Sequence, residues 1–594
     1  MEYIVLFAAL FLLFIVYAVR CVIEDRRKMR AFEQSLHTGF GQPSGKSYPK
    51  GRLDTIAGHY RKQNTAYSLD DITWNDLEMD RVFRQIDFTF SSAGEEALYT
   101  LLRCPCSNEE ELQKRENLIS YFMEHEEERV KLQMFFAKIG KTGKYSIYDY
   151  VSYLDNLPAR KNTKHYVVLA LMLAAVMLCF FEVGTGLLVL CVLFCYNMIS
   201  YFAEKKEIDP YITTFGYFLR VLAQAQQLAA LRLPAIKEQM EEIEQCRKKF
   251  ESFRRFSFLL MYQNTMSGNP LEILFDYVRM GLHLNLIKFN QMLGCAKKNQ
   301  EDMIRIIEVM GYIEAMLSIG NYRASMPYYC IPEFSKDDRA QQAEKKTSKG
   351  DTGKANTEKA DTGKADGAKT DSGYVTFCAD GIYHPLISSP VANSVQLEKG
   401  MLLTGSNASG KSTFLKTIAI AQIFAQTIHT VPAQSFVTSF YRVYSSMALR
   451  DDLASKDSYF IVEIKSLKRI IDATEEPGKM RIMCFVDEVL RGTNTVERIA
   501  AASEILSDLV KKGVFCFAAT HDIELTQLLE TQYENYHFEE TIEGGDVIFP
   551  YMLCKGKAES RNAIRLLGVL GYEKQIIRKA EQRAEHFIES GEWK

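Results

Sequence analysis

The sequence predicts an α/β domain with a parallel sheet at the C-terminal end, preceded by an all-α core domain and three transmembrane helices. After residue 374, short apolar runs alternate with helical stretches, which is typical of a parallel sheet covered by helices. Before residue 334, apolar residues recur at helical spacing, and three long apolar runs interrupt that pattern. A length of 594 residues indicates several domains, and a hydrophobic fraction of 47% excludes wholesale disorder.

The charge balance excludes a protein that binds nucleic acid through an overall basic excess, and the cysteine spacing excludes a zinc finger. The 72 Lys+Arg residues nearly balance the 75 Asp+Glu residues, so any contact with nucleic acid must be local. The 13 cysteines are scattered, and the pair Cys104 and Cys106 lacks a second pair at zinc-finger spacing. We interpret them as reduced cytosolic thiols.

The first apolar run covers residues 3–19 without a charge; Glu2 precedes it, and Arg26, Arg27, Lys28 and Arg30 follow it. This order favours an uncleaved membrane anchor over a signal peptide. We assign residues 1–23 to the anchor and residues 24–70 to a juxtamembrane linker.

Two further apolar runs, residues 165–181 and 187–203, flank a polar, glycine-bearing break at residues 182–186. They predict a transmembrane hairpin over residues 165–203. Basic residues lie only on its outer flanks, so we expect a multi-pass protein with its N-terminus outside and its C-terminal domain in the cytoplasm. The alternative is a hairpin buried inside a soluble helical domain.

The remaining chain divides by composition. Residues 71–160 and 204–334 predict the two parts of the helical core, and residues 374–594 form the α/β domain. Residues 335–373 are rich in Lys, Asp, Thr, Gly and Ala, which predicts a disordered linker that cannot form a core.

A strand predicted over residues 401–404 runs into residues 405–412, which match G-x-x-x-x-G-K-[ST] at every fixed position. In such a phosphate loop, backbone N–H groups and a helix N-terminus face phosphate oxygens, Lys411 adds a positive charge, and Ser412 can ligate Mg²⁺. The motif predicts a P-loop site for ATP and Mg²⁺. The candidate binding residues are Gly405, Ser406, Asn407, Ala408, Ser409, Gly410, Lys411, Ser412 and Thr413.

Two other predicted strands also end in polar residues. Residues 482–486 lead into Asp487 and Glu488, and residues 514–519 lead into Thr520 and His521. We expect Asp487 to hold the Mg²⁺ hydration shell and Glu488 to orient or deprotonate the attacking water. His521 is a candidate sensor of the γ-phosphate or of that water, and Lys411 completes the predicted catalytic set.

Together these residues resemble the MutS family of DNA mismatch-repair ATPases. The sequence of residues 487–493, DEVLRGT, is similar to the family's DEIGRGT, and residues 519–521 read ATH as in the family. Residues 383–386 and Asn393 precede the phosphate loop as in that family, and residues 458–463 are similar to its STFMxE signature. The resemblance implies an ABC-like ATPase fold, nucleotide binding by Asn393, and a homodimer in which Ser458 reaches the partner's γ-phosphate.

The chain also departs from the family pattern. We expect no mismatch-reading domain, because the anchor occupies the N-terminal end. Tyr459 and Asp457 replace the family's Thr and Arg near the expected dimer contact, and Leu490 replaces its Gly. The resemblance still implies DNA, mismatched or otherwise distorted, as a partner in DNA repair.

The expected function is therefore a membrane-anchored ATP hydrolase that works as a dimer on a lipid bilayer and couples ATP to DNA binding. One alternative is a dimerising membrane scaffold without DNA. Another is a transport-associated ATPase, although three short apolar spans without buried charges form a poor conduit.

Overall fold

The computed structural model divides by contact into two compact units, which we describe separately. The first comprises Met1–Asn64, Arg84–Leu101 and Lys114–Ser325, and the second comprises Thr65–Phe83, Leu102–Gln113 and Met326–Lys594. The two short segments of the second unit precede residue 114, although the sequence grouped residues 65–70 with the juxtamembrane linker and residues 71–83 and 102–113 with the helical core. The structure describes all residues except 1, 64–66, 143–145, 155–156, 159, 258–276, 336–376, 407–408, 448–458, 477–479, 492, 544–545, 559–563, 565–570 and 591–594, and no side chain at 2–15, 18, 150, 209–210, 459, 541–543, 546–547 and 588–589. The predicted linker at residues 335–373 lies almost entirely outside the described residues.

The first unit is built of helices, as its apolar periodicity predicts. Its core buries large side chains such as Phe136, Phe215 and Phe250 completely. Its helices, three of which continue into the second unit, are Glu2–Thr38, Arg52–Ile56, Gly58–Lys62, Met79–Ile86, Ser92–Arg103, Glu109–Glu124, Glu126–Ile139, Ile147–Tyr153, Thr163–Phe181, Val183–Ala230, Lys237–Arg247, Glu251–Arg254, Leu284–Lys298 and Gln300–Ser325.

The predicted hairpin is present as two packed helices, Thr163–Phe181 and Val183–Ala230. Its reversal is tighter than expected, because Glu182 alone breaks the helix, with φ −146° and ψ 97°. The helices approach closely at Gly186, where a Cβ would lie 2.6 Å from Cα of Cys179. Glycine is therefore required at this point for the two backbones to meet.

Within the described residues two helices, not three, are long and apolar enough to cross a membrane: Thr163–Phe181 and Val183–Ile208. Only 22% and 17% of an apolar 18-residue stretch in each helix is buried, and Phe181 is 85% exposed. The third predicted span lies in the helix Glu2–Thr38, mostly at positions whose side chains are outside the described part.

A buried ion pair fixes the last helix of the first unit to an earlier one. Arg323 is almost fully buried, and its guanidinium donates two hydrogen bonds to the carboxylate of Glu116, at 2.7 and 2.5 Å. Bidentate geometry of this kind compensates the cost of removing both charges from water.

The second unit contains a six-stranded sheet whose helices position the candidate site. Its strand order is β12-β9-β4-β8-β7-β6, and all neighbours are parallel except β12 and β9. The prediction of a parallel sheet is therefore corrected to a mixed sheet with one antiparallel edge strand. The strands are β4 (Gly400–Thr404), β6 (Arg442–Ser446), β7 (Ile482–Asp487), β8 (Phe515–Ala519), β9 (Tyr533–Phe538) and β12 (Leu553–Lys555), and the helices are Asp71–Asp76, Lys411–Thr427, Tyr459–Thr474, Thr495–Lys511, Ile523–Leu528 and Lys574–Ser590.

The second unit also contains a four-stranded sheet that the sequence did not predict. Three of its strands precede the phosphate loop in the chain, and the fourth follows it. The strand order of this sheet is β1-β5-β2-β3, and β10 pairs with β11 as a separate hairpin. The bounds are β1 (Glu333–Phe334), β2 (Phe377–Ile382), β3 (Asn393–Leu397), β5 (Ser435–Thr438), β10 (Thr541–Glu543) and β11 (Asp546–Ile548).

The helix Asp71–Asp76 packs against β6, the edge strand of the six-stranded sheet. The Asp76 carboxylate accepts hydrogen bonds from the Ser445 hydroxyl at 2.7 Å and from the Met447 N–H at 3.0 Å. The Thr73 hydroxyl accepts another from the Ser445 N–H at 3.1 Å. This helix therefore covers an edge that would otherwise present unpaired backbone groups.

Candidate nucleotide site

The loop predicted to hold phosphates connects β4 to the helix Lys411–Thr427, as expected. Gly405 and Gly410 have φ values of 144° and 101°, which only glycine adopts without strain. These two residues turn the chain so that the helix N-terminus opens toward the carboxyl edge of the sheet, where anions are favoured. Asn407 and Ala408, two of the predicted binding residues, lie outside the described residues.

The side chain of Lys411 lies inside the loop. Its Nζ donates hydrogen bonds to the carbonyls of Gly405 and Ser406, both at 2.8 Å, and lies 3.4 Å from Nε2 of His521. Burial lowers the pKa of Lys411 to about 8, although the nearby carboxylates of Asp487 and Glu488 oppose that shift. The ammonium is thus held inside the loop, where phosphate oxygens could replace the two carbonyl oxygens as its hydrogen-bond acceptors.

Asp487 ends β7 beside Ser412, and the pair fits the donor set of a hard cation. Burial raises the pKa of Asp487, and a hydrogen bond from the Ser412 side chain counteracts this. The other carboxylate oxygen, Oδ1, is buried and meets no hydrogen-bond donor among the described residues. A carboxylate and a hydroxyl oxygen are the ligands that Mg²⁺ prefers, and the orphaned Oδ1 gives it a coordination point.

Glu488 is held on both carboxylate oxygens. Nε2 of His521 lies 2.5 Å from Oε1, and Nε of Arg491 contacts Oε2. Burial alone would raise the pKa of Glu488, but the His521 hydrogen bond and the Arg491 and Lys411 charges outweigh it and lower the pKa. The carboxylate is therefore ionised at neutral pH, as a base that accepts a proton must be.

A buried acid that received no role from the sequence holds the loop after these carboxylates. Glu463, on the helix Tyr459–Thr474, accepts hydrogen bonds from the backbone N–H groups of Leu490 and Arg491. Leu490 is buried and has φ 58°, in the left-handed region that favours glycine. The resemblance motif contained Glu463, but only the structure shows which backbone groups it satisfies.

Among the other predicted loop residues, some form hydrogen bonds within the domain and others line a cleft. Ser409 is buried and its hydroxyl donates to the Ser406 carbonyl at 2.8 Å, whereas the Ser406 hydroxyl donates to Glu540 at 3.0 Å. Ser412 and Thr413 are exposed and face a cleft. Ser458, predicted to act across a dimer interface, lies outside the described residues.

The cleft next to the loop has a volume of about 440 Å³ and includes Asn393 and Tyr551 in its lining. Asn393 donates to the Tyr551 carbonyl at 3.0 Å and accepts from the Leu553 N–H at 2.7 Å. Its amide therefore fixes the chain segment that carries Tyr551, whose ring lies over Gly410. From the sequence, Tyr551 had no predicted role at this site, because Gly410 and Asn393 are more than 130 positions away from it.

The site therefore unites Lys411, Ser412, Asp487, Glu488 and His521 at the carboxyl edge of one sheet. A strand, a glycine-bounded loop and a helix that begins at Lys411 follow one another here, which is the arrangement typical of nucleotide-binding domains of the P-loop class.

Comparison with known proteins finds a similarity within the second unit. Residues 401–588 match the family model for MutS domain V. The DNA mismatch repair protein MutS of Thermotoga petrophila is 31% identical over 207 residues, which are 33% of this chain and 26% of that protein. The MutS proteins of Natronomonas pharaonis and Thermotoga maritima are 34% and 28% identical, over 35% and 48% of this chain and 26% and 32% of those proteins. In this domain the chain is similar to the MutS proteins, and it spans between a quarter and a third of the length of these relatives.

Proposed function

We propose that the protein is a membrane-anchored MutS-like ATPase that hydrolyses ATP between two associated heads and couples the nucleotide state to DNA. The observation that carries the proposal is the convergence of Lys411, Ser412, Asp487, Glu488 and His521 at one edge of the sheet. The relatives named above are DNA mismatch repair proteins, which makes mismatched or distorted DNA the first candidate partner.

Each side chain has a separate task in this proposal. Lys411 leaves the Gly405 and Ser406 carbonyls and pairs with the phosphates, while the helix N-terminus donates backbone hydrogen bonds. Ser412 and Asp487 hold Mg²⁺, which neutralises phosphate charge when it is bound. Glu488 accepts the proton of the attacking water, and His521 orients its carboxylate.

The cleft that contains Asn393 and Tyr551 is the proposed place of the nucleoside. It opens directly beside Ser412 and Thr413, so a triphosphate on the loop would direct its base and ribose into it. The ring of Tyr551 offers a stacking surface, and its exposure leaves that face accessible.

Hydrolysis is tested with three variants of the full chain in detergent. Lys411→Ala should lose ATP binding, whereas Glu488→Gln should bind ATP and hydrolyse it about 100- to 10,000-fold more slowly, because the general base is removed. Glu524→Gln, a change of an exposed acid on the helix after His521, serves as the matched control and should keep the wild-type rate. Wild-type turnover in Lys411→Ala or Glu488→Gln would overturn the proposal.

Dimerisation and DNA binding are tested on the same proteins. The Glu488→Gln protein with ATP should have twice the mass of the Lys411→Ala protein in light scattering. DNA binding should be measured on homoduplex, mismatched and branched duplexes at several salt concentrations, with and without ATP. No binding in any nucleotide state would remove DNA from the proposal.

We further propose that the helices Thr163–Phe181 and Val183–Ile208 span the bilayer as a hairpin, with both outer flanks of the hairpin and the second unit in the cytoplasm. Their exposed apolar faces support this over a hairpin buried in a soluble domain, since burial would cover those side chains. A protease site inserted at Gly184 should be cut only from outside the cell.

The second candidate function is an ATP-dependent dimerising membrane scaffold without DNA. The same exposed apolar hairpin favours it, because a bilayer tether confines the heads to one surface. ATP-dependent doubling of the mass without affinity for any duplex would make this the better description.

A further inference from the structure

A cluster of three chemically different side chains lies at the antiparallel edge of the six-stranded sheet. His537 on β9 pairs in register with Cys554 on β12, and Glu539 follows β9 directly. One ligand atom of each, an imidazole nitrogen, a thiol sulfur and a carboxylate oxygen, lies within 4.8 Å of the other two. His537 is buried, Cys554 is partly buried, and Glu539 is half-exposed, so the cluster is reachable from solvent.

Both ring nitrogens of His537 face oxygen atoms that only accept hydrogen bonds. Nδ1 lies 3.0 Å from the carbonyl oxygen of Gly556, and Nε2 lies 2.9 Å from Oε1 of Glu539. A neutral imidazole has one N–H, so one of these contacts would set a nitrogen lone pair against an oxygen lone pair. Either a second proton or a cation shared by Nε2 and the carboxylate removes that conflict.

We propose that His537 Nε2, the Glu539 carboxylate and Cys554 Sγ form a three-ligand site for Zn²⁺. With Nδ1–H donating to the Gly556 carbonyl, the ring takes the orientation that metal-bound histidines usually show. A mixed nitrogen, sulfur and oxygen set suits Zn²⁺ and is unsuited to Mg²⁺ or Ca²⁺, which take oxygen ligands. Cys554 supplies the thiolate, which a simple imidazolium–carboxylate pair does not need.

The site is separate from the proposed Mg²⁺ ligands and reinforces the strands that support the phosphate loop. The residue after Glu539, Glu540, accepts a hydrogen bond from the Ser406 hydroxyl. The residue before Cys554, Leu553, is bound by Asn393, a lining residue of the nucleotide cleft. Zn²⁺ would therefore join β9 to β12 next to Glu540 and Leu553, the two residues that contact the proposed nucleotide site.

The test measures metal binding by the full chain in detergent, without a histidine tag. Metal content after incubation with Zn²⁺ and gel filtration should be one equivalent in the wild-type protein. Replacement by Co²⁺ should give the ultraviolet thiolate-to-Co²⁺ charge-transfer absorption and the visible bands of a four-coordinate site. Thermal unfolding with and without Zn²⁺ gives a readout independent of ATP turnover.

Two variants and one matched control separate the ligands from general cysteine chemistry. Cys554→Ser should abolish the charge-transfer band and lower Zn²⁺ affinity at least tenfold, and Glu539→Gln should lower the affinity while keeping the band. Cys378→Ser, at a partly buried free cysteine elsewhere in the second unit, should bind like the wild type. His537 is not the first choice, because its ring is buried and its loss could unfold the edge.

Wild-type protein without the Zn²⁺ equivalent would overturn the proposal, as would a Co²⁺ complex without a thiolate band. Equal affinity in Cys554→Ser and wild-type protein would also overturn it and leave the His537–Glu539 ion pair as the full account. Because ATP is absent from all these measurements, failure of the zinc site leaves the proposed ATPase function unaffected.

Discussion

Replacing Leu490 by Gly and by Ala separates backbone strain from side-chain packing at the loop beside Asp487 and Glu488. Leu490 has φ 58°, is 5% exposed, and packs in an apolar cluster that includes Val489, Leu402 and Val486. Truncating a buried Leu to Ala costs about 2–5 kcal/mol of unfolding free energy. Gly loses the same packing but regains about 1–2 kcal/mol, because it adopts the left-handed region without strain.

The expected order of stability is therefore wild type, then Leu490→Gly, then Leu490→Ala. Differential scanning calorimetry of the full chain should place the second-unit transition of the Gly variant about 2–4 °C above that of the Ala variant for each kcal/mol. Val489, buried beside it without a positive φ, is the control, and there Gly should be less stable than Ala by about 0.5–1 kcal/mol. An Ala variant at position 490 as stable as the Gly variant would refute the left-handed assignment.

Three further changes test other features. In the proposed function ATP binds the ammonium form of Lys411, whose pKa is lowered to about 8. The affinity for ATP should therefore be full below that pH and fall about tenfold per pH unit above it, and a flat wild-type titration curve up to about pH 10 would contradict this. Gly186→Leu should lower the melting temperature by separating the hairpin helices, and Gly184→Leu, which meets open space, should not; equal melting temperatures would count against the close approach. Arg323→Met should cost about 3–5 kcal/mol of unfolding free energy, because it removes the guanidinium that neutralises the partly buried Glu116 carboxylate. Adding Glu116→Leu should recover most of that loss in calorimetry, and no recovery would show that the arginine acts through packing instead.

The sequence predicts the parts of the fold that depend on neighbouring positions in the chain. The cores of β4, β7 and β8 and the helix after Gly410 lie within one residue of their predicted positions, because apolar runs and glycines act locally. The polar residues after β7 and β8 meet because parallel strands bring their carboxyl ends to one edge. The geometry around Lys411 and Glu488 follows from that rule.

What the sequence does not predict depends on pairing between distant segments. β12 has three residues, which is too short for a pattern of alternation to show its antiparallel pairing with β9. The hydrogen bonds from Glu463 to the backbone near Leu490, and the His537–Cys554 pairing, join segments that share no local signal. Zinc-finger spacing rules test for cysteine pairs, so they overlook a ligand set with one cysteine.

The cover that Asp71–Asp76 places on β6 has a consequence for the order in which the chain is made. A fragment starting at residue 374 would lack the Asp76 carboxylate that accepts from Ser445 and Met447, and its sheet would end in open backbone groups. During translation, the residues of this helix leave the ribosome long before β6 does. The edge strand β6 is therefore made after the helix that covers it, which limits the time during which the edge of one nascent chain could pair with another.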